Sequence, residues 1–161
     1  MKKKHKFFSN LALNLAEKHL GKTKENPSVG CIIVKDDVVI SSGVTSINGR
    51  PHAEFNALNK KLNFKGSNMY VTLEPCAHRG VTPPCTNIIQ NKKIKNVYYN
   101  FCDPDSITSG KAKKILKKKK INFKRVKINN SKFYKSYFLN KNKRLPLLDA
   151  KIAISQDYNT I

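Results

Sequence analysis

The sequence predicts an α/β domain: a central mixed sheet with helices on both faces, in three layers α/β/α. Three observations predict it. Apolar residues at helical spacing open the chain, two β-rich runs flank an Asp-Asp pair, and helical and strand-like segments alternate thereafter. The 161 residues suffice for one domain with a real core, and an apolar share of 39% is that of a globular chain rather than a disordered one.

The elements follow in order. Phe7, Phe8, Leu11, Leu15 and Leu20 predict a first helix over residues 7–20, ended by Gly21. Lys22 to Ser28 is a polar loop with a turn at Asn26-Pro27. Val29 to Val34 and Val38 to Ser42, separated by Asp36-Asp37, read as a hairpin, and Gly43 to Arg50 as a loop. Pro51-His52-Ala53-Glu54 opens a second helix with Phe55, Ala57, Leu58 and Leu62 as its apolar face, since proline is tolerated in a first helical turn. Met69 to Leu73 is a strand, Glu74 to Thr82 a loop, and Pro83-Pro84-Cys85 opens a third helix running to Asn91. A strand over Val97–Phe101 ends at Asp103-Pro104-Asp105. A helix over 109–120, a strand near Ile121–Lys127 and a helix near Ser131–Asn140 complete the pattern, and something new begins at Arg144.

The formal net charge of +22 invites a nucleic-acid partner. Two observations favour a blander reading, in which nucleic acid is not the expected partner. Lysine is spread along the whole chain, and the densest run, Lys111 to Lys120, carries Ala112, Ile115 and Leu116 at helical spacing. That run reads as an amphipathic helix with a solvated lysine face, with a phosphate-binding face as the alternative. No apolar run approaches the roughly 20 residues of a membrane helix, and no apolar signal segment follows the basic start, so a cytoplasmic, membrane-free protein is expected. In that compartment four cysteines suggest metal or catalysis before disulfides. Cys31 and Cys102 border apolar stretches and are expected to be buried small hydrophobes, and His5 and His19 to be ordinary exposed histidines.

The chemistry lies in His52-Ala53-Glu54, Glu74-Pro75-Cys76 and Pro83-Pro84-Cys85. One imidazole nitrogen and two thiolates suit Zn2+ and leave a fourth position for water. The partial positive charge of helix N-termini favours both thiolates. Zinc brings the pKa of a bound water to about 7, so hydroxide is available at neutral pH. Glu54, two residues from His52, is placed to take the water proton and pass it to a departing amine. Each residue also has an ordinary explanation: His52 as a packed or capping residue, Glu54 as a first-turn glutamate, Cys76 and Cys85 as a structural site with His78. Together they match the His-x-Glu and Pro-Cys-x-x-Cys signature of zinc deaminases, but with eight residues between the cysteines in place of two.

That longer insertion, in Tyr70-Val71-Thr72-Leu73-Glu74-Pro75-Cys76-Ala77-His78-Arg79-Gly80-Val81-Thr82-Pro83-Pro84-Cys85, resembles the deaminase domain of the bifunctional riboflavin-biosynthesis deaminase/reductase. Asn26-Pro27-Ser28-Val29-Gly30-Cys31 is similar to that family's N-terminal substrate loop, and Asp103-Pro104 to the start of another. The resemblance spans residues 7–145 and implies a cytidine-deaminase-like fold. It implies hydrolytic loss of the ring amine from a diaminopyrimidinone carrying a phosphoribosylamino group. It further implies zinc ligands at His52, Cys76 and Cys85, acid/base catalysis by Glu54, and substrate contacts from Asn26, His78 and Asp103. A phosphorylated pyrimidine is the implied small-molecule partner, and self-association into a homo-oligomer is implied too. Arg144 to Asp157 looks like the first strand of the family's reductase domain, which divides the chain into a deaminase domain over 1–143 and the start of a truncated reductase-like domain over 144–161.

The chain departs from the family at Thr45, where a histidine is usual, at Val81, where Lys or Arg is usual, and at Asp105-Ser106, where Asn-Pro is usual. These positions are the ones expected to touch the ribosyl phosphate, and loss of one cationic contact costs about 1.5–3 kcal/mol. Arg79 or Arg50 could substitute. Two alternatives stay open on sequence alone: a deaminase of tRNA or another nucleobase, and a zinc-stabilised remnant without turnover.

Overall fold

The computed structural model describes residues 2–105, 109–130 and 132–153. Helix α1 (Lys2–Glu17) leads into the hairpin β1 (Gly30–Lys35) and β2 (Val38–Val44). A short 3-10 turn (Ile47–Gly49), α2 (Ala53–Leu58), β3 (Asn68–Leu73), α3 (Cys85–Asn91), β4 (Asn96–Phe101), α4 (Lys111–Lys118), β5 (Asn122–Arg125) and α5 (Lys135–Lys143) follow. The strands form one sheet in the order β2-β1-β3-β4-β5. β1 is antiparallel to β2 and β3, while β4 is parallel to its neighbours β3 and β5, so the sheet is mixed as the sequence predicts.

Alternation along the strands produces the three layers. Ile32, Val34, Tyr70 and Tyr98 face α1 and pack on its Phe8 and Ala12. Cys31, Ile33, Met69, Val71, Val97 and Phe123 face the other way, onto a core that holds Ala53, Ala57 and Leu58 of α2, Ile89 of α3 and Leu116 of α4. The expected hairpin is present: Asp36 and Asp37 have φ of 47° and 66° and join the paired Lys35 and Val38. Aspartate is among the few residues that adopt the left-handed region readily, which a two-residue turn of this type requires.

Several expectations need correction. α1 begins at Lys2 rather than at residue 7, because the lysines ahead of Phe7 are good helix formers. It ends at Glu17, where i→i−3 bonds from Lys18, His19 and Leu20 tighten the chain into a turn before Gly21 (φ 76°). α2 has only six residues, and it buries Ala53, Glu54, Ala57 and Leu58 while Phe55 and Leu62 are exposed. Cys31 is buried, but Cys102 is exposed, one residue beyond the end of β4. His5 and His19 are half-buried and engaged: His5 Nδ1 lies 2.9 Å from Tyr70 Oη, and His19 Nδ1 2.6 Å from the Thr45 carbonyl oxygen. Arg144 to Ala153 form no strand. Ser106, Ser131 and residues 154–157 lie outside the described residues. Among those residues, no helix is long and apolar enough to cross a membrane.

Two close contacts set helices against the sheet. β2 lies so close to α2 that a Cβ at Gly43 would fall 2.9 Å from the Asn56 carbonyl carbon, and nearer still to Ala53 O and Ala57 N. At the other end of the chain Tyr134, fully buried just ahead of α5, donates from Oη to the Ser28 carbonyl oxygen at 2.8 Å. Thr72 Oγ1 stands 2.6 Å from the same phenol and accepts from Gly30 N. One phenol thereby ties α5 to β3 and to the loop ahead of β1.

Candidate active site

The three side chains expected to hold a metal come from two helix starts and one strand end. His52 immediately precedes α2, Cys85 is the first residue of α3, and Cys76 lies three residues beyond β3. His52 Nδ1 faces both sulfurs, 3.4 Å from Cys85 Sγ and 3.7 Å from Cys76 Sγ. The Cys85 backbone N–H donates to Cys76 Sγ at 3.2 Å, the helix-terminal stabilisation of a thiolate that the sequence suggests. All three ligand atoms lie within 4.8 Å of one another, and no further His, Cys, Asp or Glu joins the group among the described residues. A nitrogen and two soft sulfurs at this spacing fit zinc with an open fourth position, whereas a closed structural site would need a fourth protein ligand. His78, the alternative third ligand, is not part of the group and lines a cavity instead.

The protonation pattern fits the same use. Cys76 is brought down to about 4, first by the hydrogen bond from Cys85 and then by that from His52. Cys85 is pushed well above the ordinary thiol value, because it holds the shared proton and is buried. His52 is raised, chiefly by its bond to Cys76, while burial and the charge of Arg50 act against protonation. A thiolate beside a protonated thiol is therefore arranged for a metal to displace the proton. Glu54 is buried, and its carboxyl is raised first by desolvation and then by the Cys76 charge. The geometry sets one buried carboxylate near three side chains that could hold a metal ion.

These groups open onto a cavity of about 240 Å3. His52, Glu54 and Cys76 line one end, and Asn26, His78 and Asp103 also line it, so three of the four proposed substrate contacts converge there. Asn26 donates from Nδ2 to the Gly49 carbonyl oxygen at 3.3 Å. Asp103 is buried and raised by that burial, against the hydrogen bonds it accepts from Asp105 N (3.0 Å) and Tyr137 Oη (3.2 Å). Arg79, the fourth contact, is exposed and does not line the cavity, and Arg50 does. Thr45 also lines it, with its Oγ1 accepting from Val29 N at 2.9 Å.

Among the wall residues, sequence reasoning gives no role to Glu74, Tyr137 and Lys141, and offers Arg50 only as a substitute phosphate contact. Glu74 Oε1 accepts from Gly110 N at 3.0 Å and so joins the end of β3 to the start of α4. Tyr137 and Lys141 come from α5, and Arg50 precedes the metal histidine. The spacing of Tyr134, Tyr137 and Lys141, one helical face, was the available signal for α5 as a cavity wall.

Residues 2–101 match the model of the cytidine and deoxycytidylate deaminase zinc-binding region. The chain belongs to this deaminase family. Within it, the chain groups with the riboflavin-biosynthesis deaminases. A diaminohydroxyphosphoribosylamino-pyrimidine deaminase of Buchnera aphidicola subsp. Schizaphis graminum is 42% identical over 122 residues, 75% of this chain and 83% of that one. The riboflavin biosynthesis protein RibD of Aquifex aeolicus is 45% identical over 107 residues, 66% of this chain and 30% of its own length. The structure of Acinetobacter baumannii RibD, form 1, superposes with a TM-score of 0.89 at 36% identity, over 98% of this chain and 45% of that chain. The chain thus spans less than half of the RibD proteins it matches, and most of the shorter Buchnera deaminase. The three-layer cytidine-deaminase-like fold is the one the sequence predicts.

Proposed function

We propose that this chain hydrolyses the ring amine of a diaminopyrimidinone ribosyl phosphate, the deamination step of riboflavin biosynthesis. The observation that carries the reading is the buried Glu54 carboxylate beside His52, Cys76 and Cys85 at the end of a cavity walled by Asn26, His78 and Asp103. Zinc held by His52, Cys76 and Cys85 would supply an activated water at neutral pH. Glu54 accepts a proton from the attacking water and delivers it to the leaving nitrogen. A carbon–oxygen bond forms at the amine-bearing ring carbon, the carbon–nitrogen bond breaks, and ammonia departs. The ring carbon is left as a carbonyl, with no change in oxidation state. Asn26, His78 and Asp103 orient the ring by hydrogen bonds, and Tyr137 fixes Asp103 for that task.

The identity with the Buchnera deaminase over most of its length supports this substrate. Thiolate ligands favour the reducing cytoplasm as the site of action. Residues 1–143 form the deaminase domain in this reading, and 144–161 begin a reductase-like segment. An alignment to RibD of Buchnera aphidicola subsp. Baizongia pistaciae supports it, covering 96% of this chain and so continuing past residue 143. The family likeness also favours a homo-oligomer.

Ammonia release from the phosphorylated diaminopyrimidinone tests the function. Wild type turns it over with about one zinc per chain. Glu54→Gln keeps the zinc and loses the ammonia. Normal turnover by Glu54→Gln removes Glu54 from the mechanism, and wild type inert on the pyrimidine leaves only a zinc-stabilised fold.

A further inference from the structure

Five carboxylates line the cavity, those of Glu25, Glu54, Glu74, Asp103 and Asp105. Two of its lining residues are Lys or Arg, namely Arg50 and Lys141. Lys141 Nζ lies 3.5 Å from Asp105 Oδ2, so that cation already has its counter-charge. No carboxylate lies within ion-pair distance of Arg50 among the described residues. Arg50 Nη1 donates instead to the neutral Thr82 Oγ1 at 3.0 Å and stands 3.4 Å from His52 Nε2. The guanidinium is half-buried and one imidazole ring away from the metal-ligating atoms. A Cβ on Gly80 would stand 3.9 Å from both Arg50 Nη2 and His78 Nε2, so guanidinium and imidazole flank one gap that glycine leaves open.

A partly desolvated cation without a counter-charge is costly unless an anion arrives to meet it. A guanidinium carries five donors in a rigid fork that matches phosphate oxygens two at a time, and the Thr82 bond fixes its plane with one of them. We infer that Arg50 recognises the phosphate of the substrate, with Thr82 as its positioning residue. This rests on the deaminase reading for the substrate and adds the group that grips its anionic end. Lys141 is excluded by its bond to Asp105, and Arg79 by its place outside the cavity.

Steady-state ammonia release on the phosphorylated diaminopyrimidinone and on its dephosphorylated form, with zinc content measured alongside, decides the matter. Arg50→Gln raises KM for the phosphorylated form about 10- to 100-fold, the loss expected for a charge-assisted bond, and leaves the dephosphorylated form within about twofold. Arg50→Lys recovers part of the loss, since charge is restored without the fork. Thr82→Val falls between wild type and Arg50→Gln. Equal slowing of both substrates by Arg50→Gln, or loss of its zinc, overturns the assignment. Calorimetry with ribose 5-phosphate separates it from the deaminase reading. Wild-type binding lost in Arg50→Gln supports Arg50 even where wild type releases no ammonia, and equal binding by both proteins overturns it.

Discussion

Gly43→Ala reaches the Glu54 carboxylate of the proposed site without touching it. The added methyl would fall 2.9 Å from the carbonyl carbon of Asn56 and closer to Ala53 O and Ala57 N, all backbone of α2. Ordinary carbon–carbon contact needs about 3.5 Å, so α2 must retreat from β2 by at least about 0.6 Å. α2 is short and carries Glu54, with His52 at its start, so it moves as a unit and takes both side chains with it. Overpacking of this kind costs about 1–3 kcal/mol. At about 2–4 °C per kcal/mol for a chain of this length, the melting temperature falls by about 2–12 °C. Catalysis suffers more, because a displacement of this order at a reacting group costs about 100-fold. Gly66→Ala is the control. Its φ of 81° strains an alanine, but nothing lies within 4 Å of the new methyl, so it loses about 1 kcal/mol and keeps kcat/KM. Thermal unfolding, zinc analysis and ammonia release on the two variants give the answer. A Gly43→Ala protein with wild-type kcat/KM would refute the claim that the spacing of α2 from β2 sets the site.

Zinc affinity should be steeply pH-dependent. Cys85, held well above its ordinary value, gives up a proton on binding at neutral pH, and His52, raised by Cys76, gives up a second as pH falls. The apparent Kd therefore rises about tenfold per unit of falling pH near neutrality and more steeply below the His52 value; competition against a chromophoric chelator measures it, and a flat profile would contradict the proton count. Removing zinc with a chelator abolishes ammonia release, and zinc addition restores it; activity that survives complete removal excludes the metal. Tyr134→Phe deprives the buried Ser28 carbonyl and Thr72 hydroxyl of a partner and costs about 1–3 kcal/mol, read by denaturant unfolding. Tyr137→Phe leaves Asp103 with the Asp105 N–H and raises KM for the pyrimidine more than it lowers Tm; the reverse order would make Tyr137 purely structural.

The parts of the site legible in the sequence are those whose chemistry restricts residue type. A zinc site with an open corner needs His and Cys at helix starts and strand ends, and His52, Cys76 and Cys85 meet in space although 33 residues separate the first from the last. The hairpin is legible because few residues tolerate φ above zero, and Asp36-Asp37 are two of them. The rest depends on contacts that local pattern does not encode. Tyr137 meets Asp103 across 34 residues, and Lys141 meets Asp105 across 36. Nothing near Arg50 or Arg79 in sequence distinguishes a cation that turns inward from one that faces solvent. The exposure of Cys102 and the shortness of α2 likewise depend on where the strand and helix end, which apolar spacing leaves open.

The bond from Tyr134 to Ser28 joins two points 106 residues apart. All three metal ligands lie at or before Cys85, so during synthesis they leave the ribosome well ahead of α5. In that interval the cavity lacks the wall that Tyr137 and Lys141 supply, and the Tyr134 phenol joins the loop ahead of β1 only once the chain has reached α5.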